Sequence, residues 1–186
     1  DRYRWAASRA GLRQLLSREL GIAPDAIVFG QEANGRPNLV GIEAVSFNLS
    51  HSADVAALAI SRDTRVGVDV EDIREIRSDE IERALSIAER LELAEAADAL
   101  QLETFFRFWT LKEAFMKGTG LGASLPLHDF DVSPAGPGLL RLKSAPTEPG
   151  RWRFDEFVPK PGIRAALAAR TDDRDLVVQW RWADFE

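Results

Sequence analysis

The sequence contains no cysteine. A disulfide framework, a thiolate metal site and a thiol nucleophile are therefore excluded, and any chemistry must come from oxygen and nitrogen. No apolar run approaches the roughly 20 residues of a membrane helix, and the N-terminus lacks the basic-then-apolar pattern of a secretory signal. The expectation is a cytoplasmic protein with no membrane partner. There is no excess of positive charge: 30 acidic residues stand against 24 basic ones, for a formal charge of −6. That balance argues against nucleic acid as the main partner. Also missing are a glycine-rich phosphate loop, a dinucleotide fingerprint, an H-E-x-x-H zinc motif and a G-x-S-x-G nucleophile elbow, which disfavours the common nucleotide folds and hydrolase triads.

What is present is an ordinary globular composition. With 186 residues, 45% hydrophobic and 29% charged, the chain fits one domain or two small ones sharing a core. Residues 2–20 have the spacing of a helix, with Trp5, Leu12, Leu16 and Leu20 on one stripe and Gly21 as its stop. Arg2, Arg4, Arg9 and Arg13 crowd this segment. Arg9 falls inside the apolar stripe, where an arginine either snorkels out of the core edge or is held inward to meet an anion.

Asn34-Gly35-Arg36-Pro37 reads as a turn, and residues 45–50 alternate as a half-buried strand. Residues 55–60 and 65–71 read as further strands, 78–100 as one or two helices, and 103–117 as a helix ended by Gly118 and Gly120. Short strands are expected near 129–132, 138–143, 151–157, 163–169 and 175–182. The class is α+β.

Three groups of residues could carry chemistry. In the strand Val66-Gly67-Val68-Asp69-Val70-Glu71 the valines share one face and Asp69 and Glu71 the other. Two carboxylates pointing the same way suit a hard cation such as Mg²⁺, although the same pattern also describes an amphipathic strand showing its acids to water. On the helix, Trp109, Glu113 and Lys117 form one row at i, i+4 and i+8, with Lys112 beside it. Phe105, Phe106, Phe108 and Phe115 make that helix apolar around most of its circumference, so its charges need partners. Either Glu113 and Lys117 are a plain ion pair, or they supply a third carboxylate and a phosphate-binding lysine. Finally, Asn48-Leu49-Ser50-His51-Ser52 puts one of two histidines between hydroxyls at a strand end, able to meet a phosphate, to act as a base or simply to close a turn.

Taken in order, Asn34-Gly35-Arg36-Pro37, Phe47 to Ser52, Val66 to Glu71 and Trp109 to Lys117 resemble the signature blocks of the 4′-phosphopantetheinyl transferases, in particular the larger type that activates surfactin synthetase. The resemblance spans about residues 2–122. It implies a pseudo-dimer of two similar α+β subdomains, here 1–63 and 64–186, with the active site in the cleft between them. It also implies an N-terminal segment with a strand and basic residues ahead of the first helix.

By the same resemblance Asp69, Glu71 and Glu113 are metal ligands for Mg²⁺ or Mn²⁺, and Glu113 and Lys117 are catalytic, Glu113 as the general base. Ser50 and His51 match a pair near the 3′-phosphate of coenzyme A, and Arg36 stands where the family usually has lysine. Lys112 and Lys117 match phosphate-binding lysines, and Arg9 matches a basic position of some members. The implied reaction moves 4′-phosphopantetheine from coenzyme A to a serine of an apo acyl, peptidyl or aryl carrier protein, by a monomer. Two other readings stay open: a metal-dependent nucleotide pyrophosphatase, and an inactive module that binds coenzyme A or a carrier.

Overall fold

The computed structural model describes residues 2–134, 140–144, 152–171 and 176–183, without the side chains of 2–9, 123, 133–134 and 140–144. Helix α1 (Arg2–Leu20) lies against a small β-layer and seals a core of Leu12, Leu16, Ile27, Leu39, Val45 and Phe47. Two three-residue strands, β1 (Phe29–Gln31) and β2 (Pro37–Leu39), form a hairpin around the Asn34-Gly35 turn. Strands β3 (Val45–Ser52) and β4 (Val55–Arg62) pair antiparallel, from Val45 opposite Arg62 to Ser52 opposite Val55.

After a turn at Asp63, whose φ is 61°, the chain enters β5 (Arg65–Asp72). This strand is the edge of a second, five-stranded sheet completed by β6 (Asp131–Pro134), β7 (Leu140–Ser144), β8 (Trp152–Phe157) and β9 (Ile163–Arg170), in the order β5-β9-β8-β7-β6. Between β5 and β6 come α2 (Ser78–Ala84), α3 (Ile87–Glu95) and α4 (Gln101–Thr119). The mixed α+β class is as expected from sequence, and no described helix is long and apolar enough to cross a membrane.

Helix α4 buries Phe105, Phe106, Phe108, Leu111, Ala114 and Phe115 against the five-stranded sheet, each full phenylalanine burial contributing roughly 1.5–3 kcal/mol. Phe115 meets Trp152 edge-on at 5.1 Å between ring centroids. The approach of α4 to β5 is closer still at Gly67, where a Cβ would run into the Ala114 carbonyl oxygen and the Gly118 amide. A glycine inside a strand is how two backbones come this near.

The two sheets are joined by side chains rather than by a strand ladder. Along β3, Ser46 Oγ, Asn48 Oδ1, Ser50 Oγ and Ser52 Oγ accept from the amides of Val66, Val68, Val70 and Asp72, at 3.2, 2.8, 3.3 and 3.0 Å. The polar half of the β3 alternation thus satisfies the outer edge of β5, whose amides would otherwise lack partners.

Of the strand expected near 175–182, residue 175 lies outside the described residues and the rest forms no strand. Residues 176–183 carry no ladder pairing. Leu176 and Trp180 instead pack on a cluster of Ala59, Val66, Val68 and Ala169, with Trp180 stacked on Phe157 at 4.7 Å. The covered side chains there pack on a sheet face.

Candidate active site

The row of α4 predicted from spacing faces the acidic side of β5. Because α4 runs antiparallel to β5, Trp109 meets Glu71 and Lys117 meets Asp69. The Trp109 indole N–H donates to Glu71 Oε1 at 3.2 Å, and Ser52 Oγ donates to Glu71 Oε2 at 3.4 Å. Lys117 Nζ donates to Asp69 Oδ1 at 2.5 Å and to Ser50 Oγ at 2.9 Å, while Ser50 donates to the same carboxylate oxygen at 3.0 Å.

Burial dominates the electrostatics. Asp69 is 2% exposed, and desolvation pushes its carboxyl above the usual range despite the pull of Lys117. Glu71 is raised by burial first and by the Asp69 charge second. Glu113 is pushed up to about 7, by burial and then by Asp69, with Lys117 opposing and Glu71 adding. Three carboxylates sensing one another with a single lysine among them are under-compensated.

Is this set fit to hold a metal? Among the described residues no trio of His, Asp or Glu is arranged to hold a metal ion, and Lys117 sits on Asp69 Oδ1. The chemistry of the donors nevertheless suits a hard cation: all are carboxylate oxygens, and Asp69 Oδ2 is buried with no hydrogen-bond partner. An unpartnered buried carboxylate oxygen, on a group whose charge two further carboxylates feel, is a place where a divalent cation would fit.

Other sequence-predicted residues fall elsewhere. Lys112 is 0% exposed and is paired with Glu89, itself 1% exposed; it also donates to the Phe130 carbonyl at 2.7 Å. Desolvation lowers its pKa, Glu89 opposing. Its expected place at a phosphate is corrected: the lysine is buried beside the row that meets β5, where it ties α4 to α3 and to Phe130, just before β6. The signal that would have found the pair is the capping box Ser86-Ile87-Ala88-Glu89, which fixes Glu89 inward.

Arg36 is likewise not a free cation. It is 7% exposed, and its terminal nitrogens bond to the carbonyls of Lys117, Gly118, Phe47 and Val66 and to Ser46 Oγ. Where sequence resemblance expects a phosphate contact, both terminal nitrogens are engaged by protein oxygens, and Nε lies 3.7 Å from Glu32 Oε1.

Ser50 and His51 separate. Ser50 turns into the carboxylate and lysine cluster, while His51, on the alternate face of β3, is exposed. Arg9 belongs to α1, but its side chain lies outside the described residues. The sequence reading gave no role to Ser52, to the Trp109 indole or to Gly67. Gly67 alone left a usable sign, as a glycine interrupting a valine strand.

The fold and site thus define an α+β protein with an acidic, lysine-bearing site where α4 crosses the edge of β5, next to β3. A family model for the 4′-phosphopantetheinyl transferase superfamily matches residues 65–170, more than half of the chain. The chain is 34% identical over 173 residues to the 4′-phosphopantetheinyl transferase HetI of Nostoc sp., covering 90% of this chain and 70% of that protein. It is 36% identical over 133 residues to psf-1 of Bacillus pumilus, covering 70% and 57%, and 26% identical over 173 residues to Sfp of Bacillus subtilis, covering 93% and 76%. Across eight such relatives the chain spans from 54% to 76% of their length. It belongs to the 4′-phosphopantetheinyl transferase superfamily and is of the larger, Sfp-like type.

Proposed function

We propose that this chain transfers 4′-phosphopantetheine from coenzyme A to a serine hydroxyl of an apo acyl, peptidyl or aryl carrier protein, releasing adenosine 3′,5′-bisphosphate. The observation that carries the reading is the facing of Asp69 and Glu71 on β5 by Glu113 and Lys117 on α4, in a chain of this family. Residues 1–63 and 64–186 would be two subdomains with coenzyme A in the cleft between them. The separate β3-β4 and β5-containing sheets, met by Ser50 and Asp69 across their seam, support that division.

In the reaction the serine oxygen forms a bond to the phosphorus bearing the pantetheine arm, and the bridging oxygen leaves with the adenosine bisphosphate. Asp69, Glu71 and Glu113 would hold Mg²⁺ or Mn²⁺, whose charge would neutralise pyrophosphate oxygens. Glu113 takes the serine proton. Burial raises this carboxyl to about 7 before a cation binds, and a bound cation would favour the ionised form that can accept a proton. Lys117, with 30% of its side chain exposed, can pass from Asp69 Oδ1 to a pyrophosphate oxygen, where charge accumulates as the bridge breaks. Ser50 holds Lys117 and Asp69 in register, and His51, exposed one residue on, is available to a more distant phosphate. Arg9 is kept as a contact for the same anion. The protein works as a cytoplasmic monomer, one chain carrying both walls of the cleft.

The test is mass spectrometry of a panel of apo carriers incubated with coenzyme A, Mg²⁺ and the protein. A carrier heavier by one phosphopantetheine arm, absent without the protein, is the expected result. Adenosine bisphosphate released without any carrier would instead identify a pyrophosphatase, and coenzyme A binding with no product an inactive module.

A further inference from the structure

Arg36 sits in the turn that sequence resemblance assigns to phosphate binding, and both its terminal nitrogens are bonded to protein oxygens. Nη1 donates to the carbonyls of Lys117 and, at 3.1 Å, Gly118. Nη2 donates to Ser46 Oγ at 3.0 Å, to Phe47 O at 3.2 Å and to Val66 O at 2.6 Å. One side chain therefore links β3, β5 and the last turn of α4. The helix end needs such partners, because its final carbonyls have no amide within the helix to bond, and a cation there also meets the negative end of the helix dipole. Arg65 shares the task, donating from Nε to Gly118 O at 3.0 Å, while Glu32 pairs with both arginines.

The fit of the turn is close. Gly120 ends α4 with φ 72°, and a Cβ on it would collide with the Asn34 side-chain amide and approach Arg65 Nη2 to 3.3 Å. Asn34-Gly35-Arg36 is thus docked on the end of the helix whose preceding turns carry Glu113 and Lys117. Asn34 Oδ1 accepts from the Arg36 amide at 3.0 Å, which holds the turn in the shape that sends the guanidinium inward.

We propose that Arg36 is a positioning residue: by gripping the Lys117 and Gly118 carbonyls against β3 and β5, it sets where Lys117 and Glu113 stand relative to Asp69, and it does not contact coenzyme A. The proposal deepens the transferase reading and rests on it for its kinetic part. Lysine cannot replace the arginine. A single ammonium cannot reach carbonyls on three elements at once, whereas the planar fork presents donors on two separated nitrogens. A lysine would, however, serve well enough as a phosphate contact.

The experiment compares wild type, Arg36→Lys and Ser46→Ala, the last removing one acceptor of the fork. Steady-state kinetics are measured with coenzyme A and with its 3′-dephospho form, and amide hydrogen exchange is followed by mass spectrometry. In Arg36→Lys, kcat is expected to fall about 10-fold or more, the scale of a sub-ångström to 1 Å misplacement. KM for both substrates stays within about twofold of wild type. Exchange over residues 114–120 accelerates about 10-fold, while that of the β8-β9 hairpin is unchanged.

A KM that rises for coenzyme A but not for the dephospho form would make Arg36 a phosphate ligand and overturn the proposal. So would wild-type exchange at the helix end. Should Arg36→Lys fail to fold, Ser46→Ala decides: a smaller change in the same directions supports the clamp, and wild-type kcat and exchange refute it. Wild-type protein that modifies no carrier sinks the transferase reading and the kinetic role with it, while the exchange data still report separately on whether Arg36 holds the helix.

Discussion

Lys117 and Asp69, 48 positions apart in sequence, meet at 2.5 Å with Ser50 hydrogen-bonded to both. The contact joins α4 to β5 at the seam with β3, and it leaves the second oxygen of Asp69 buried without a partner. A lysine thus pairs with one oxygen of a carboxylate whose charge is felt by Glu71 and Glu113.

Asp69→Asn should abolish cation binding and transfer while leaving the fold intact. The amide keeps the size of the side chain but cannot supply the charge that a divalent ion requires. Calorimetric titration with Mn²⁺ should show no binding, and kcat should fall about 10²-fold or more, in line with losing several kcal/mol of charge stabilisation. Tight Mn²⁺ binding by the variant would remove Asp69 from the metal set.

Glu113 makes the metal-free protein sensitive to pH. Its folded pKa lies near 7, above the ordinary value of about 4.5, so the folded state prefers the protonated acid. That preference stabilises fully below pH 4.5 and is lost as pH rises through 7. Thermal melts in chelator should therefore show Glu113→Gln gaining on wild type between pH 5 and 8, with no difference near pH 4. Added Mg²⁺ should cancel the gain, because a bound cation stabilises the carboxylate. Parallel melting curves across the whole range would mean that Glu113 is not buried against Asp69.

Breaking the Lys112 and Glu89 pair should cost stability, not catalysis. Lys112→Met leaves the Glu89 charge buried with only the Ser86 and Val132 amides as partners, a loss of about 3–5 kcal/mol, and the double variant Lys112→Met with Glu89→Gln should recover part of it, because the neutral amide oxygen can still accept from an N–H. Urea denaturation measures both. KM for coenzyme A should stay at the wild-type value in whichever variant remains folded; a large rise would restore Lys112 as a phosphate ligand.

Gly67→Ala should be among the most damaging single-methyl additions. The new Cβ meets backbone of Ala114 and Gly118, which no rotamer change can relieve, so the cost should reach about 3 kcal/mol or more, the upper end of overpacking. Because the same displacement moves α4 off β5, transfer activity should fall even at temperatures where the variant stays folded. An alanine variant with wild-type melting and turnover would contradict the close crossing.

Local pattern carried far in this chain. The 3.6-residue period put Trp109, Glu113 and Lys117 on one row, and the two-residue period put Asp69 and Glu71 on one face; each holds because it depends only on the geometry of its own element. The class, helix α1 and most strand positions follow from the same short-range rules. Residues 176–183 show their limit: alternation records which side chains are covered, and cannot say whether the cover is a neighbouring strand or a sheet face beneath.

Tertiary structure decided what the charges do. Arg36 and Lys112 carry the residue types of a phosphate site, but a cation's role depends on which oxygens surround it once the chain has folded. For Arg36 these are carbonyls of β3, β5 and α4, and for Lys112 the carboxylate of Glu89 and the carbonyl of Phe130. None of those partners is near in sequence, and burial keeps both cations turned to these protein oxygens. Lys117, on the same helix as Lys112 but five residues on, is turned by that 3.6-residue period toward Asp69 and keeps part of its side chain open to solvent.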